Sequence, residues 1–232
     1  MISSIIAWGD SILKGIVSQA GESKDIEVIE DSSLKLAADA LGFEFTNKSI
    51  FGATVTKIQS TQKKNIAKGL KADLCVIEAG DNDSDYDWAA LCANPDAPLD
   101  KKTSPQDFKT ILAQMVATAR ENKITPVLMT PPPLVGETWF KNICIGLDEN
   151  IIRNFVGEDI FVLCRNQIEY AKLLKEVAKE QNVQLVDMQA EFFNHPDRES
   201  LMCPDGVHPN PQGYKFMSEI WIKIIPQLKL EF

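Results

Sequence analysis

The chain has 232 residues, of which 44% are hydrophobic and 25% are charged, and its formal net charge at pH 7 is −9. Such a chain can bury the core of one large domain, and we predict a single domain over residues 1–232. The acidic balance argues against a nucleic-acid partner, because phosphate binding needs clustered Lys and Arg. No apolar run approaches the ~20 residues of a membrane helix, so no membrane contact is expected.

Short apolar runs alternate with helical patterns through the first third of the chain. Ser4 to Trp8 and Phe43 to Asn47 are predicted strands, with a helix from Ser32 to Leu41 between them. The pattern over residues 55–70 is weakly helical. Leu74 to Ala79 is predicted to be a strand of the apolar kind that is covered on both faces.

The rest of the chain contains one long loop and further strands and helices. A polar loop runs from Asp81 to Thr103, and Ser104 followed by Pro105 predicts the start of a helix. Residues 134–158 have no clear pattern. Four further elements are predicted: a strand from Thr125 to Thr130, a helix from Glu169 to Gln181, a strand from Val183 to Met188 and a closing amphipathic helix from Pro211 to Leu228.

This alternation predicts an α/β fold, in which right-handed crossovers build a parallel sheet with helices on both faces. Ligands bind such sheets beyond the carboxyl ends of the strands. Ser11, the stretch after Ala79 and the loop after Met188 are therefore expected on one rim of the sheet.

Polar residues on this rim form a candidate site for acyl chemistry. His208 lies in CPDGVHPNPQGY, three residues after Asp205, and a carboxylate that accepts from Nδ1 of an imidazole fixes its tautomer. Ser11 follows the first strand in IIAWGDSILKGI, where its hydroxyl is either a helix cap or a nucleophile activated by a neighbouring base. His195, the second histidine, has no such carboxylate partner, and we do not expect it to act directly.

Two further residues are candidates for binding a developing oxyanion. Gly52 in IFGATVT lets the backbone approach a ligand closely, and Asn82 in IEAGDNDSDYD carries an amide donor. Each is otherwise an ordinary loop residue. The acidic loop around Asn82 is not expected to bind calcium, since Tyr86 and Cys92 stand where an EF-hand needs Gly and Glu.

The cysteines and the opening stretch of the chain indicate in which cellular compartment the protein is expected. The five cysteines are odd in number and include no Cys-x-x-Cys pair, so we expect neither a disulfide framework nor a zinc site. The opening stretch MISSIIAWGD lacks the basic n-region and the apolar length of a signal peptide. Both observations favour the cytoplasm.

Taken in order, four blocks of the sequence resemble the SGNH hydrolases, also called the GDSL lipase and esterase family. The blocks are GDSIL at 9–13, NKSIFGAT at 47–54, GDND at 80–83 and DGVH at 205–208, and they span nearly the whole chain. Two departures are visible. The first block has Ile where many members have Leu, and the second has one glycine where members often have two.

The resemblance implies a flavodoxin-like three-layer α/β/α sandwich with a five-stranded parallel sheet. It implies a catalytic triad of Ser11, His208 and Asp205. It also implies an oxyanion hole formed by the N–H groups of Ser11 and Gly52 and the side chain of Asn82. The reaction it implies is hydrolysis through an acyl-enzyme on Ser11, without a metal or an organic cofactor.

The substrate is not specified by these motifs. We expect a small-molecule ester with a short acyl group, and acetyl esters of carbohydrates are one candidate. Acyl-thioester hydrolysis and acyl transfer use the same triad and stand as alternatives, and a non-catalytic binding module is the alternative from another class. Trp88, Trp139 and Phe140 are candidate substrate-binding residues and equally candidate core residues. The oligomeric state is left open.

Overall fold

The computed structural model of the protein describes residues 2–18 and 26–232. Over these residues the main sheet has five parallel strands. In chain order they are β1 (Ser4–Trp8), β4 (Glu44–Asn47), β5 (Leu74–Glu78), β6 (Thr125–Met129) and β7 (Gln184–Val186). They lie side by side in the order β4-β1-β5-β6-β7. Two short strands that were not predicted, β2 (Ile16–Ser18) and β3 (Ile26–Val28), pair separately and antiparallel.

Helices cover both faces of the main sheet. On one face lie α2 (Ser33–Leu41) and α10 (Pro211–Ile224), and on the other lie α3 (Val55–Ala67), α5 (Pro105–Glu121) and α8 (Val162–Glu180). The shorter helices are α1 (Ser11–Lys14), α4 (Trp88–Ala93), α6 (Gly136–Ile143), α7 (Glu149–Val156) and α9 (Met188–Asn194). This confirms the three-layer sandwich and the flavodoxin-like strand order. None of the described helices is long and apolar enough to cross a membrane.

Strand β1 shows how the sequence fills both layers of the core. Successive side chains of a strand point to opposite faces. Ile5 and Ala7 therefore belong to the core under α2 and α10, whereas Ile6 and Trp8 belong to the core under α3, α5 and α8. All four are at most 1% exposed, so a shift of one residue in this strand would exchange both sets of core contacts.

The strand order reverses between β1 and β5. The chain leaves β1 toward β4 on one side, and it continues from β5 toward β6 and β7 on the other. The loops that follow these two strands therefore diverge and leave a crevice at the carboxyl edge of the sheet. Ser11 follows β1 and Asn82 follows β5, which brings both residues to this crevice.

A third group of helices stands apart from the sheet, and we call residues 84–103 and 134–161 the cap. The sequence predicts a polar loop and an unpatterned stretch here, and the structure corrects both with α4, α6 and α7. These helices are too short to be stable in isolation and are stabilised by packing on one another. Their shared hydrophobic cluster also includes the start of α8 and consists of Trp88, Leu91, Phe140, Ile143, Ile152 and Leu163.

Other element boundaries also differ from the prediction. Helix α8 begins at Val162, well before the predicted Glu169, because its first turn packs into the cap through Leu163. Helix α10 ends at Ile224 and continues as a 3₁₀ turn, since Pro226 cannot donate a backbone hydrogen bond. Helix α9 follows directly on β7 and was not predicted.

Asn210 anchors the start of α10. Its Oδ1 accepts from the backbone N–H groups of Gln212 and Gly213 at 3.0 Å each, and its Nδ2 donates to the carbonyls of Ser200 and Met202. We predict that Asn210→Ala lowers the free energy of unfolding by about 1–2 kcal/mol, because the helix cap is lost. Urea denaturation measures this loss. Asn210→Ser keeps a capping oxygen and, like the Ala variant, lacks the Nδ2 donor, so it should lose less stability than Asn210→Ala, and equal losses in the two variants would contradict the capping role.

Candidate active site

Ser11 lies in a tight turn between β1 and α1. Asp10 caps the helix, since its Oδ1 accepts from the backbone N–H of Ile12 at 2.9 Å. Gly9 is required before it, because a Cβ at that position would lie 2.7 Å from Oε2 of Glu78. The turn leaves Ser11 only 5% exposed, with its side chain at the carboxyl edge of the sheet.

The loop before α10 brings His208 to Ser11. The Nε2 atom of His208 lies 2.9 Å from Oγ of Ser11, and its Nδ1 atom lies 2.6 Å from Oδ2 of Asp205. The other oxygen of Asp205 accepts from the backbone N–H groups of Val207 and His208. The three residues singled out in the sequence therefore form one hydrogen-bonded chain.

Asp205 is stabilised in its ionised form. Burial by itself would raise its pKa, but the hydrogen bond from His208, the positive charge of that ring when protonated and the two backbone N–H groups outweigh burial. Together they hold the pKa of Asp205 below its ordinary value. A carboxylate in this position can orient the imidazole and stabilise it when it takes up a proton.

Gly52 and Asn82 line the same cavity as Ser11 and His208. The Nδ2 atom of Asn82 donates to Oδ2 of Asp10 at 3.0 Å, and the amide has a second N–H that this bond does not use. Gly52 has a φ of +69°, and no atom lies within 4 Å of an added Cβ. Glycine is therefore favoured there by the backbone angle, not by lack of space.

The cavity has a volume of about 500 Å³, which is within the usual range for small-molecule sites. The sheet edge forms one side of it and the cap forms the other. Phe51 adds an apolar wall, since its ring stacks on His208 with 6.2 Å between the centroids. The cap residues that line the cavity are Ser84, Asp85, Leu134, Trp139, Asn142 and Ile145.

The three aromatic residues predicted to bind substrate are placed differently. Trp139 lines the cavity. Trp88 and Phe140 do not, because they are 7% and 3% exposed and form part of the hydrophobic cluster of the cap. The indole N–H of Trp88 also donates to Asp85 at 2.9 Å. For these two residues the structure corrects the binding prediction in favour of core packing.

Comparison with known proteins bears directly on this site. The model of the GDSL-like lipase/acylhydrolase family matches residues 7–216. The chain belongs to this family. An acetylxylan esterase from Xylanibacter ruminicola is 26% identical to this chain over 167 residues. The matched region is 66% of this chain and 28% of that protein, so the chain spans little more than a quarter of the relative's length.

Solved structures share the fold. A lipase/acylhydrolase from Enterococcus faecalis superposes with a TM-score of 0.69 at 20% identity, and 100% of both chains is covered. An acetylxylan esterase from Geobacillus stearothermophilus superposes with a TM-score of 0.65 at 21% identity, covering 96% of this chain and 94% of that one. The family is one of lipases and acylhydrolases.

Beneath the turn at Ser11 lie two buried acids and one half-buried acid. Asp10, Glu78 and Asp81 each have an oxygen within 4.8 Å of the others. Burial raises the pKa of all three, and the charges of neighbouring acids raise those of Glu78 and Asp81 further. Both oxygens of Asp10 already accept from protein N–H groups. We therefore treat the cluster as buried acids and assign no metal ion to it.

Sequence reasoning left Glu78 and Asp81 without a role. One signal was available, because Glu78 is an acid in the otherwise apolar strand LCVIE, and a charge buried in such a strand is costly unless it is paired or protonated. No comparable signal identifies Gln167 of α8. Its Nε2 donates to Oδ1 of Asp81 at 2.6 Å and to the carbonyl of Pro132 at 2.7 Å, which ties together the loops after β5 and β6.

Two other polar residues of interest do not line the cavity. Asp83 accepts from the backbone N–H of Val55 at 3.0 Å and from the hydroxyl of Thr103, and burial, only partly offset by these bonds, raises its pKa to about 6. His195 accepts at Nδ1 from the backbone of Asp197 and packs its ring on Phe216. Both arrangements are those of residues that hold the fold.

We predict that the charge of Asp205 contributes to stability in full above about pH 4 and progressively less below it. Because its folded-state pKa is lowered, the contribution is present above the unfolded pKa of ~3.9 and is lost as pH falls through the folded value. Asp205→Asn keeps an oxygen for the backbone donors and removes the charge. The variant should be less stable than wild type in neutral buffer and approach it in strongly acidic buffer. Urea unfolding at a series of pH values measures this, and a difference that is constant with pH would contradict it.

Proposed function

We propose that the protein is a serine hydrolase that cleaves short-chain carboxylic esters through an acyl-enzyme on Ser11. The observation that carries this proposal is the hydrogen-bonded chain from Ser11 through His208 to Asp205, which lies against a cavity of about 500 Å³. A serine hydroxyl becomes a nucleophile when a positioned base takes its proton. We further propose that residues 1–232 act as one domain in the cytoplasm on a small-molecule substrate.

In the proposed reaction, His208 accepts the proton of Ser11 as Oγ attacks the ester carbonyl. The negative charge that develops on the carbonyl oxygen is bound by the N–H groups of Ser11 and Gly52 and by the side chain of Asn82. His208 then protonates the leaving alcohol, and water enters to hydrolyse the acyl-enzyme by the same steps. Asp205 holds the imidazole in the required tautomer throughout.

The cavity supports an ester that carries no negative charge near the scissile bond. Asp81, Asp85 and Asp205 line it and no Lys or Arg of the described residues does, so a phosphate or carboxylate on the substrate would find no basic partner there. Trp139 offers an indole face on which a sugar ring can stack. Relatives named as acetylxylan esterases support acetyl esters of carbohydrates as the substrate to test first.

The proposal predicts that Ser11→Ala abolishes ester hydrolysis, since no acyl-enzyme can form. Initial rates on p-nitrophenyl esters from acetate to decanoate measure this, and acetylated sugars and acyl-thioesters are measured beside them. Circular dichroism of the variant serves as the control for folding. Equal rates in the two proteins would remove Ser11 as the nucleophile. Acyl transfer is recognised by a new ester among the products when an alcohol is added.

Asn82→Ala is predicted to lower kcat by about 10²–10³-fold, because one oxyanion donor is lost. KM should change little, since the donor acts mainly in the transition state. Asn142→Ala is the matched variant, because it removes another amide from the cavity wall and should reduce kcat far less. Steady-state kinetics on p-nitrophenyl acetate compares the two. A similar loss in both variants would argue against a specific role for Asn82.

A further inference from the structure

The acids beneath the turn at Ser11 are too crowded to be ionised together. Asp10 and Glu78 are 0% exposed, and oxygens of Asp10, Glu78 and Asp81 lie within 4.8 Å of one another. Within residues 2–18 and 26–232, none of the three forms an ion pair with Lys or Arg. Three carboxylates that lie this close together and are largely shielded from water would repel one another strongly. The cluster must therefore hold at least one proton.

Hydrogen bonds indicate which acid keeps its charge. Asp10 accepts from the backbone N–H of Ile12 at 2.9 Å through Oδ1 and from the amide of Asn82 at 3.0 Å through Oδ2. Donors to both oxygens favour the carboxylate over the neutral acid. A proton on Asp10 would weaken the bond to the oxygen that carries it, because a hydroxyl oxygen is a poorer acceptor than a carboxylate oxygen.

Glu78 is the acid best placed to carry the proton. Its Oε2 accepts from the backbone N–H of Asp10 at 3.1 Å, and its Oε1 is buried without a hydrogen-bond partner among the described residues. Asp81 also accepts one bond, at 2.6 Å from Gln167, and has one buried oxygen without a partner, but it is half-buried and lines the cavity, whereas Glu78 is 0% exposed and is more strongly disfavoured as a charge. Oxygens of Glu78 and Asp10 lie within 4.8 Å of each other, so a protonated Glu78 is placed to donate to the carboxylate of Asp10.

We propose that Glu78 is a positioning residue that is held as a neutral acid, and that its proton keeps Asp10 ionised so that Asp10 can orient the amide of Asn82. An ionised Asp10 accepts only from the Nδ2 side of that amide, which keeps a donor, and not the carbonyl oxygen, turned to the oxyanion. This inference rests on the proposed function of Asn82. It explains why an acid ends the apolar strand β5 directly beneath the nucleophile.

The test compares two isosteric substitutions that each remove one carboxyl group. Glu78→Gln keeps a donor for Asp10 and should retain kcat on p-nitrophenyl acetate to within a few-fold. Asp10→Asn is still a good helix cap but has no anionic oxygen for Asn82, and its kcat should fall by about 10²-fold, as for a lost oxyanion donor. Glu78→Met has neither donor nor charge. It should move the acid limb of the kcat–pH profile to higher pH, because Asp10 then takes up a proton more readily.

Two further measurements report the proton itself. Infrared spectroscopy of the wild type should show the carbonyl stretch of a buried protonated carboxyl group, and Glu78→Gln should lose it. Burial and the charges of Asp10 and Asp81 raise the pKa of Glu78 above its ordinary value. Two other titratable groups are near: Tyr214 of α10 faces Glu78, and the charge of His208 when protonated lowers the pKa of Asp10. The stabilising proton of Glu78 is therefore lost as pH rises through the folded value, and the unfolding midpoint of the wild type should fall relative to Glu78→Gln toward alkaline pH.

The opposite pattern would overturn the assignment. If Asp10→Asn is tolerated and Glu78→Gln is impaired, Asp10 carries the proton. If Mg²⁺ or Ca²⁺ raises the unfolding midpoint of the wild type and not that of Glu78→Gln, a cation neutralises the cluster and the proposal is wrong. A wild type that hydrolyses no ester overturns the proposed function. The infrared band and the pH dependence of unfolding separately decide whether Glu78 is neutral, so the two failures are distinguishable.

Discussion

The site depends on the hydrogen bonds of one buried carboxyl group, that of Asp10. It accepts from Ile12 at the start of α1 and from Asn82 in the loop after β5. These bonds connect the ends of two neighbouring strands whose loops otherwise diverge, because the strand order reverses between them. The other parts of the site are arranged around this connection. His208 reaches Ser11 from the loop before α10, and Gly52 lies on the same cavity from the loop after β4.

This connection has an electrostatic cost that the fold must offset. A carboxylate buried beside two other acids is unfavourable unless hydrogen bonds or a shared proton compensate it. Asp10 has N–H donors on both oxygens, and the proposed neutral state of Glu78 removes one like charge. The same exclusion of water strengthens the hydrogen bonds that join Ser11, His208 and Asp205. Crowded polar groups that are unfavourable for folding are therefore concentrated where the chemistry is proposed to occur.

Elements with strong local signals were predictable. Ser104 followed by Pro105 begins α5 as expected, and the Ser104 hydroxyl accepts from the backbone of Asp107. The cap was not predicted, because its helices have about two turns each and are shorter than the window of about 11–18 residues in which a helical period is read. The same limit applies to the aromatic residues, since Trp88 and Trp139 look equivalent in sequence. Only the packing of the cap places Trp88 in the hydrophobic cluster of the cap and Trp139 on the wall of the cavity.

The sequence alone indicates the α/β class and the family. It also shows which chemical groups are available: a serine after the first predicted strand, an amide after the third predicted strand, and an Asp-x-x-His pair before the last helix. These are local patterns, which follow from backbone preference and from the period of burial. The contacts among them were decided by the tertiary structure. Ser11 and His208 are 197 residues apart, and Asp10 meets Asn82 and Glu78 only because β1 and β5 are neighbours. Such contacts depend on how the chain crosses over between strands, and no local pattern records that path.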